Sequence, residues 1–349
     1  MTSSLLEQDS TFSLGAGAAH EGVLSAVGRT PLVRLRRIYP DIDFRLYAKL
    51  EALNPGGSIK DRPAREILQE AMRSGAVGPG TVIVESSSGN MGIGLAQACA
   101  CFGLRFICVV DAKASKQNIR ILEVYGAEID YVAEPDPETG EFLPARLNRV
   151  KELLGQIDNA FWPNQYANEH NSGSHHRTTM QEVVTELGAQ GDRVDFVLCA
   201  TSTCGTVRGC GELVRERGLP TRVLAVDALG SLIFSDQKGP RHLPGMGAGL
   251  RPPLCDLRYI DECVHVSDLE CISACRLLIR REGIFAGASS GGLLAAVGKI
   301  RDKIPAGATC VVILPDRGER YLDTVYSDQW VREHFGEGSD LWPEKESTL

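Results

Sequence analysis

A lysine stands where a helix is predicted to begin, in the stretch NPGGSIKDR at residues 54–62. The proline and the two glycines predict a tight bend, and Ser58 and Asp61 have the three-residue spacing of a capping box. Pro63 then falls in the first turn of a helix over DRPAREILQEAMRSG. The pattern therefore places Lys60 at the positive end of that helix.

The position of Lys60 has a chemical consequence. The helix dipole disfavours a cation at this end, so the neutral amine is favoured, and neutral amines form Schiff bases with carbonyl compounds. The glycines just before it also let the backbone approach a ligand closely. The alternative is an ordinary surface lysine, but this setting makes Lys60 a candidate for covalent chemistry.

Two loops rich in hydroxyls and glycine are candidate anion sites. ESSSGNMGIG (85–94) follows a β-rich run and opens a helix, so its hydroxyls and N–H groups suit a carboxylate or a phosphate. ATSTCGTVRG (200–209) repeats the arrangement and offers one phosphate a cup made of Ser202, Thr203, Cys204, Gly205 and Thr206. Neither loop reads GxGxxG or GK[ST], which disfavours a dinucleotide or a nucleoside triphosphate. Ordinary helix capping is the alternative for the second loop.

A third motif suggests a rival enzyme class. GIFAGASSGG (283–292) contains GASSG, which matches the GxSxG nucleophile elbow of serine hydrolases with Ser289 as the nucleophile. Asp316 and His334 follow in the order of the hydrolase triad. No HGGG-type oxyanion loop precedes the motif and His334 lies in a charged segment, so the hydrolase is the weaker hypothesis.

The chain alternates short apolar strands with helices. Several strands lack strict polar alternation: TVIVE (81–85), LRFICVV (104–110), DFVLCA (195–200) and TCVVILP (309–315). Strands of this kind, separated by helices, predict a parallel-rich sheet covered on both faces and hence the α/β class. Three glycines are predicted to end the intervening helices: Gly103, Gly126 and Gly155.

The bulk composition excludes several classes of function. With 349 residues, of which 43% are hydrophobic and 23% charged, the chain suffices for about two domains. A net charge of -8 argues against nucleic-acid binding, and no apolar run approaches the roughly 20 residues that span a membrane. The N-terminus lacks the basic and apolar regions of a signal peptide, so a cytoplasmic protein is expected.

The cysteines and histidines of the sequence show no pattern typical of disulfides or of a metal site. The 11 cysteines are an odd number without a CxxC pair, and the 7 histidines lack metal-ligand spacing. Neither disulfides nor a metal ion are therefore expected. Five cysteines in apolar runs are predicted to be small buried hydrophobes: Cys99, Cys101, Cys108, Cys199 and Cys310.

In chain order, the motifs resemble those of the cysteine synthase/cystathionine β-synthase family of fold type II pyridoxal-phosphate enzymes. The resemblance rests on VGRTPLVRL (27–35), NPGGSIKDR, SSGNMG, STCGT, GMGAG (245–249), GIFAGASSG and LPDRGERY. It covers nearly all of residues 22–330. It implies a homodimer whose subunits have two α/β domains with the cofactor in the cleft. These are a larger cofactor-binding domain (1–52 plus 161–349) and a smaller, mobile substrate-binding domain (53–160).

The resemblance also assigns roles to single residues around pyridoxal phosphate. Lys60 carries the cofactor as a Schiff base, Asn90 hydrogen-bonds the ring hydroxyl, the 202–206 cup holds the phosphate, and Ser289 faces the pyridine nitrogen. An aspartate at that nitrogen would make a strong electron sink, whereas a neutral serine favours expulsion of a β leaving group. The expected reaction is β-replacement through an α-aminoacrylate, with Lys60 as general base.

Departures from cysteine synthases bear on the second substrate. Their carboxylate loop usually reads TSGNTG, whereas this chain has SSGNMG, in which Met91 replaces a threonine. Their GTGGT cup becomes STCGT, with Ser202 replacing a glycine. Their QQF becomes NQY, in which Gln165 is still expected to reach the substrate carboxylate and Tyr166 adds a hydroxyl. The loop residues expected at that carboxylate are Ser87, Ser88 and Gly89. The added polarity suits a nucleophile larger than sulfide, since unpaired polar groups are costly.

These variations look closest to family members that join O-phospho-L-serine and L-glutamate into N-(2-amino-2-carboxyethyl)-L-glutamate and phosphate. That product leads to L-2,3-diaminopropionate, used in siderophores and nonribosomal peptides. Arg146 and Arg317 are candidate anion clamps, because arginine forks match phosphate and carboxylate; surface ion pairs are the alternative for each. A cysteine synthase using O-phosphoserine or O-acetylserine is the alternative within the class.

Overall fold

The computed structural model describes residues 20–336 and 342–343, which form two compact units. The smaller unit contains the described residues up to Val27 together with Lys60–Asn164. The larger unit contains Gly28–Ile59 and the described residues from Gln165 onwards. No helix in these ranges combines the length and the apolarity needed to cross a bilayer. The predicted division at residues 53 and 160, with the roles of its two parts, stays a prediction.

Strands and helices alternate along the described chain, which confirms the predicted α/β class. The strands are β1 (Leu32–Leu35), β2 (Arg45–Leu50), β3 (Val82–Ser86), β4 (Arg105–Asp111), β5 (Glu128–Val132), β6 (Ala160–Phe161), β7 (Phe196–Ala200), β8 (Arg222–Ala228), β9 (Glu262–Val266) and β10 (Thr309–Leu314). The helices are α1 (Asp61–Arg73), α2 (Asn90–Phe102), α3 (Lys116–Val124), α4 (Phe142–Gln156), α5 (Glu169–Ser174), α6 (Gln181–Gly188), α7 (Gly205–Glu216), α8 (Asp268–Glu282), α9 (Ala288–Ile300) and α10 (Asp328–Phe335).

The smaller unit is a parallel sheet in the order β5-β4-β3-β6. Successive side chains of β3 point to opposite faces of this sheet. Ile83 joins an apolar cluster that includes residues of α1 and α2, and Val84 joins a second cluster that includes residues of α4. Because both faces are covered, these strands are apolar without alternation, as the sequence predicted.

The larger unit has a six-stranded sheet in the order β1-β2-β10-β7-β8-β9. Strand β1 runs antiparallel to β2, and the other neighbouring pairs are parallel. The carboxyl ends of β2, β10 and β7 therefore lie side by side, at the edge where parallel α/β sheets bind ligands. The segments that follow these ends are the bend (residues 54–59), Asp316 with its neighbours, and the cup. Three motifs far apart in sequence thus meet at one edge.

Helix boundaries agree with the sequence at some glycines but not at the start of α1. Gly103 and Gly126 follow α2 and α3 with φ angles of 68° and 88°, as predicted for helix-ending glycines. The predicted capping box of Ser58 is wrong, because the N-cap of α1 is Lys60, without a side-chain cap. Ser58 instead forms a β-bridge with Asp316, which keeps it outside the helix.

The prediction that Gly155 ends a helix is also wrong. Helix α4 continues to Gln156 and has Ile157 as its C-cap. Leu153 is buried in the cluster beneath the sheet and Leu154 packs against it, so tertiary contacts hold the helix through the glycine. A Cβ built on Gly155 would meet no atom within 4 Å.

We therefore expect Gly155→Ala to raise the free energy of unfolding by about 0.5–1 kcal/mol, because alanine loses less backbone entropy in a helix. Denaturant unfolding measures the change. Gly103→Ala is the control and should lower stability, because its φ of 68° disfavours a side chain. A less stable Gly155→Ala protein would contradict the expectation.

The predicted burial of cysteines holds at four of the five positions. Cys99, Cys108, Cys199 and Cys310 are buried, whereas Cys101 is exposed, so the prediction for Cys101 is wrong. Cys99 and Cys101 are two residues apart in α2, which places their side chains about 200° apart around the helix axis. Burial raises the pKa of Cys99 to about 12.

Candidate active site

The bend is held by buried polar contacts within the larger unit. Asn54 Nδ2 donates to the backbone oxygen and to the carboxylate of Glu51, each at 2.9 Å. Thr30 Oγ1 donates to the same carboxylate at 2.6 Å. Gly57 completes the turn with a φ of 86°, a conformation that a Cβ would strain. A buried polar network with this many partners fixes the path of the chain.

The last two residues of the bend are attached to the carboxyl end of β10. Ser58 pairs with Asp316 through the β-bridge, and Ile59 N donates to Pro315 O at 2.8 Å. Lys60 is the next residue in the chain. It is half-buried and is the N-cap of α1, which confirms the prediction that a lysine begins this helix.

Helix α2 approaches Lys60 closely within the smaller unit. A Cβ built on Gly94 would lie 3.1 Å from Lys60 O and 3.1 Å from Ala64 Cβ. Asn90, the first residue of α2, precedes Gly94 by about one turn. Because Gly94 has no side chain, the first turns of α1 and α2 touch. The predicted Schiff-base lysine and the predicted ring-hydroxyl ligand are thus carried on neighbouring helices.

The loop before α2 folds back over the start of that helix. Ser87 Oγ accepts a hydrogen bond from Gly92 N at 3.0 Å, and a Cβ on Gly92 would lie 2.2 Å from Ser87 O. Ser88, Gly89 and Asn90 are half-buried, and Gly89 provides no side-chain cap to α2. Backbone N–H groups at the start of a helix suit a carboxylate, and carboxylate binding is the predicted role of this loop.

The Met91 side chain lies in the apolar core of the smaller unit. It is 2% exposed and belongs to the cluster that contains Ile67 and Leu68 of α1. The structure therefore restricts the predicted substrate contact of Met91 to its backbone N–H. Of the three sequence departures predicted to line one pocket, this one concerns helix packing.

The cup forms the N-terminus of α7 in the larger unit. Cys204 is the N-cap in the left-handed region, with a φ of 65°, and Gly205 begins the helix. Thr203 and Thr206 are buried, whereas Ser202 is half-buried. A left-handed residue before a helix turns successive backbone N–H groups towards one side, as in anion-binding nests. This geometry fits a phosphate.

Two residues that the sequence analysis missed contact the threonines of the cup. Asn171 Nδ2 donates to Thr203 Oγ1 at 3.2 Å, and His175 Nε2 lies 3.3 Å from Thr206 Oγ1. Asn171 is in α5 and His175 begins the π-helical turn (His175–Met180) that continues it. The only signal in the sequence is their four-residue spacing, which places two side chains on one helix face.

Glycines of α7 allow this close contact between helices. A Cβ on Gly205 would lie 2.1 Å from Asn171 Oδ1, and one on Gly209 would lie 2.2 Å from Ser172 O. Gly205 and Gly209 are four residues apart and share a face of α7. Because both lack side chains, Asn171 and His175 reach the cup.

Ser289 is the second residue of α9 and is 2% exposed. A Cβ on Gly245 would lie 3.9 Å from Ser289 Oγ and 3.6 Å from Tyr321 Oη. Gly247 N, in the same GMGAG segment, donates at 2.7 Å to the backbone oxygen of Thr201, the residue before the cup. This segment therefore connects Ser289 to the cup within the larger unit.

Gln165 and Tyr166, both predicted to line the substrate site, lie beside the helix that supports the cup. Gln165 is 6% exposed, and its backbone oxygen accepts Asn171 Nδ2 at 2.8 Å. Tyr166 is half-buried, and its backbone oxygen accepts Leu254 N at 3.3 Å. One amide, that of Asn171, thus spans the Gln165 backbone and the cup.

The two predicted anion clamps both contact protein groups. Arg146 Nε lies 3.1 Å from Asp111 Oδ2, and both side chains are mostly buried. Arg317 is exposed, and its Nε donates to Ala52 O at 3.0 Å, next to the bend. The ion-pair alternative describes Arg146, and the clamp role of each arginine stays a prediction.

Comparison with known proteins identifies the family. A family model described as pyridoxal-phosphate dependent enzyme matches residues 23–316, which is most of the chain. The chain belongs to this family. The cofactor of this enzyme is pyridoxal 5'-phosphate, and each motif described above lies within the matched residues or next to them.

Solved structures similar to this pyridoxal-phosphate-dependent enzyme agree with the family. O-ureido-L-serine synthase is 31% identical with a TM-score of 0.82, covering 93% of this chain and 98% of that one. A hydrogen sulfide-producing enzyme from Fusobacterium nucleatum is 32% identical, with a TM-score of 0.81 and coverages of 88% and 99%. An O-acetylserine dependent cystathionine β-synthase from Helicobacter pylori is 31% identical, with a TM-score of 0.81 and coverages of 89% and 100%. These similarities support a β-substituting enzyme of fold type II.

The residues present fit the cofactor chemically. The N–H groups of the cup suit its phosphate, the amide of Asn90 suits the ring hydroxyl, and the amine of Lys60 suits the aldehyde. The hydroxyl of Ser289 suits the ring nitrogen, and Gly245 leaves a space beside it that a side chain would fill. These single-residue roles stay predictions, whereas the identity of the cofactor follows from the family.

A serine hydrolase triad loses its support in this pyridoxal-phosphate-dependent enzyme. His334 Nδ1 contacts Trp330 O at 2.8 Å, and its ring stacks on Trp330 with the centroids 4.2 Å apart. Asp316 Oδ2 accepts a hydrogen bond from Tyr321 Oη at 2.6 Å. A triad needs the histidine Nδ1 on the aspartate, and here that nitrogen is engaged within α10.

We expect Asn171→Ala to weaken binding of pyridoxal phosphate to the apoprotein about tenfold, because Thr203 loses the donor that orients its hydroxyl. Absorbance titration of the apoprotein with the cofactor measures the affinity. Gln190→Ala, an exposed amide beyond the end of α6, is the matched control and should bind normally. Equal affinities for both variants would show that Asn171 does not orient the cup.

Proposed function

We propose that this protein joins O-phospho-L-serine and L-glutamate by β-replacement, giving N-(2-amino-2-carboxyethyl)-L-glutamate and phosphate. The observation that supports this choice is the partial exposure of two residues that add hydroxyls, Ser202 and Tyr166. Ser202 in the cup and Tyr166 are both half-buried, so each hydroxyl-bearing side chain keeps part of its surface for a ligand. A dicarboxylate nucleophile can accept hydrogen bonds from such hydroxyls, whereas sulfide is too small to use both.

The residues of the chain divide the work of this reaction. Bound pyridoxal phosphate supplies an electron sink for the Cα of the amino acid, weakened by a neutral group at its ring nitrogen. Residues 87–90, at the start of α2, bind the substrate carboxylate through backbone N–H groups. The cup fixes the cofactor phosphate. Lys60 Nζ takes the Cα proton, and its position at a helix N-terminus favours the neutral amine that the step requires.

The same proposal places substrate-carboxylate binding in the smaller unit and phosphate binding in the larger one. It also assigns Arg146 or Arg317 to the second carboxylate or to the departing phosphate. A cytoplasmic homodimer is part of the proposal, and light scattering on the purified protein tests its mass.

A cysteine synthase that uses O-acetylserine or O-phosphoserine is the second candidate. The observation that favours it is the similarity to a structure whose name includes dependence on O-acetylserine. The two candidates differ in the nucleophile, and the leaving group can be tested separately.

The test incubates the holoenzyme with O-phospho-L-serine or O-acetyl-L-serine and with either L-glutamate or sulfide, and measures products by mass spectrometry. We expect the glutamate adduct from O-phospho-L-serine. Cysteine from sulfide without any adduct from glutamate would replace the first proposal by the second. Tyr166→Phe and Ser202→Gly should each lower glutamate use about tenfold and spare sulfide, whereas Tyr131→Phe, an exposed tyrosine, should change neither.

A further inference from the structure

A buried carboxylate lies next to the helix that carries Ser289. Asp316 is 1% exposed, and Tyr321 is 5% exposed and donates its hydroxyl to Asp316 Oδ2 at 2.6 Å. Burial, reinforced by the neighbouring carboxylate, raises the pKa of Tyr321 well above its usual value. The phenol therefore keeps its proton at neutral pH and acts as the donor, and a buried carboxylate needs such donors.

The Asp316–Tyr321 pair is packed directly against the start of α9. A Cβ on Gly287, the N-cap of α9, would lie 2.1 Å from Asp316 Oδ1 and 2.4 Å from Tyr321 Cε2. Gly287 N also donates to Asp316 O at 3.2 Å. No side chain can therefore stand between the pair and the helix turn that carries Ser289.

The Tyr321 and Ser289 hydroxyls border the same space. From the Cβ position of Gly245, Tyr321 Oη is 3.6 Å away and Ser289 Oγ is 3.9 Å away. Gly245 has a φ of 93°, so a side chain there would be strained as well as crowded. If Ser289 meets the ring nitrogen of the cofactor, Tyr321 Oη is the neighbouring polar atom and Asp316 is the carboxylate directly behind it.

We propose that Tyr321 is a positioning residue that holds the Asp316 carboxylate away from the ring nitrogen of the cofactor and so keeps that nitrogen uncharged. The inference rests on the proposed function, since it takes Ser289 as the ring-nitrogen ligand. A carboxylate near a pyridine nitrogen favours its protonated form and so strengthens the electron sink. If Asp316 is released, we expect a side reaction in which the amino group of the substrate is transferred to the cofactor.

Other ionisable groups around the pair are held in one state. Arg320 donates to Gly56 O at 2.6 Å. Burial raises the pKa of Cys275 to about 12, and Tyr326, whose pKa burial also raises, donates to Ala286 O at 2.6 Å. Asp316 is therefore the carboxylate that loses a donor when the Tyr321 hydroxyl is removed.

Tyr321→Phe tests the proposal, because it keeps the ring and removes only the donor. The apoprotein is compared first, by a double-mutant cycle of unfolding free energies with Asp316→Asn. We expect Tyr321→Phe to destabilise the apoprotein and Asp316→Asn to remove most of that effect, because the coupled pair is already broken. This arm does not depend on the cofactor.

The holoenzymes are then incubated with L-alanine, which has no β leaving group. Transamination converts L-alanine and pyridoxal phosphate into pyruvate and pyridoxamine phosphate, so the amino acid is oxidised and the cofactor reduced. We expect Tyr321→Phe to form pyridoxamine phosphate about tenfold faster than the parent, the change that one pKa unit gives. The absorption spectrum of its bound cofactor should change too, and Tyr321→Phe/Asp316→Asn should return both readouts to the parent values.

Tyr326→Phe is the matched control, a neighbouring phenol that bonds a backbone oxygen, and should behave like the parent. An unchanged Tyr321→Phe, or a change that persists without Asp316, overturns the proposal. If Tyr321→Phe cannot bind the cofactor, the spectrum of the cofactor bound to Asp316→Asn decides. A spectrum shifted from that of the parent, with Tyr321 intact, would overturn the proposal. An unshifted spectrum supports it. A parent protein that takes up no pyridoxal phosphate would instead overturn the proposed function.

Discussion

The Lys60→Ala protein is expected to lose the visible absorption of a Schiff base and about 10²–10⁴-fold of its β-replacement rate from proton transfer alone. Lys60 is the N-cap of α1 and directly follows the bend, which the contacts between Glu51 and Asn54 hold in place. Absorbance of the purified protein measures the loss of the Schiff base, and initial rates measure the loss of β-replacement activity. Borohydride reduction of the parent, followed by peptide mass spectrometry, should place the cofactor on Lys60.

Lys116→Ala is the matched control for that experiment. Lys116 is exposed and is the first residue of α3, so it shares the unit and the helix-start position but not the bend. It should retain colour and rate. Full activity in Lys60→Ala would contradict the assignment and would revive chemistry at Ser289.

Gly205→Ala is expected to have the second large effect, a loss of cofactor binding of about 100-fold or more together with about 1–3 kcal/mol of stability. The new methyl group would lie 2.1 Å from Asn171 Oδ1, so α5 and α7 must separate and the cup must open. Thermal unfolding of the apoprotein and absorbance titration with pyridoxal phosphate measure the two losses.

The chain offers a control and a rescue for Gly205→Ala. Gly188 ends α6 in the same unit, and a Cβ there would meet nothing within 4 Å, so Gly188→Ala should bind the cofactor normally. Gly205→Ala/Asn171→Gly removes the clashing amide and should recover stability without recovering full affinity. Normal binding by Gly205→Ala would mean that the helix contact does not shape the cup.

The sequence predicted the features that depend on neighbouring residues. Lys60 at a helix start, the helix end at Gly103 and the glycine and hydroxyl loops at 85–94 and 200–209 all follow from local chemistry. The α/β class follows from apolar strands covered on both faces. The order of motifs along the chain was enough to indicate the family.

Features that depend on tertiary contacts could not be predicted from one sequence. Asn171 and His175 reach the cup only because Gly205 and Gly209 let two helices touch. The sequence predicts that Gly155 ends a helix, but α4 continues beyond Gly155 because the neighbouring leucines pack in the core. Met91 reads as a pocket residue, but its side chain faces α1.

The exposure of Cys101 gives the unmodified chain an accessible thiol for labelling, in competition with half-buried Cys255, whose pKa a hydrogen bond with Cys204 lowers. All eleven cysteines lie in the described part of the chain. Cys101 is exposed, and the other ten are buried or half-buried. Partial burial raises the pKa of the Cys101 thiol, so a maleimide dye reacts best in mildly alkaline buffer. The dye would then sit near the end of α2, the helix whose first residue is Asn90. The dye would mark the helix that begins at Asn90 without engineering a new cysteine.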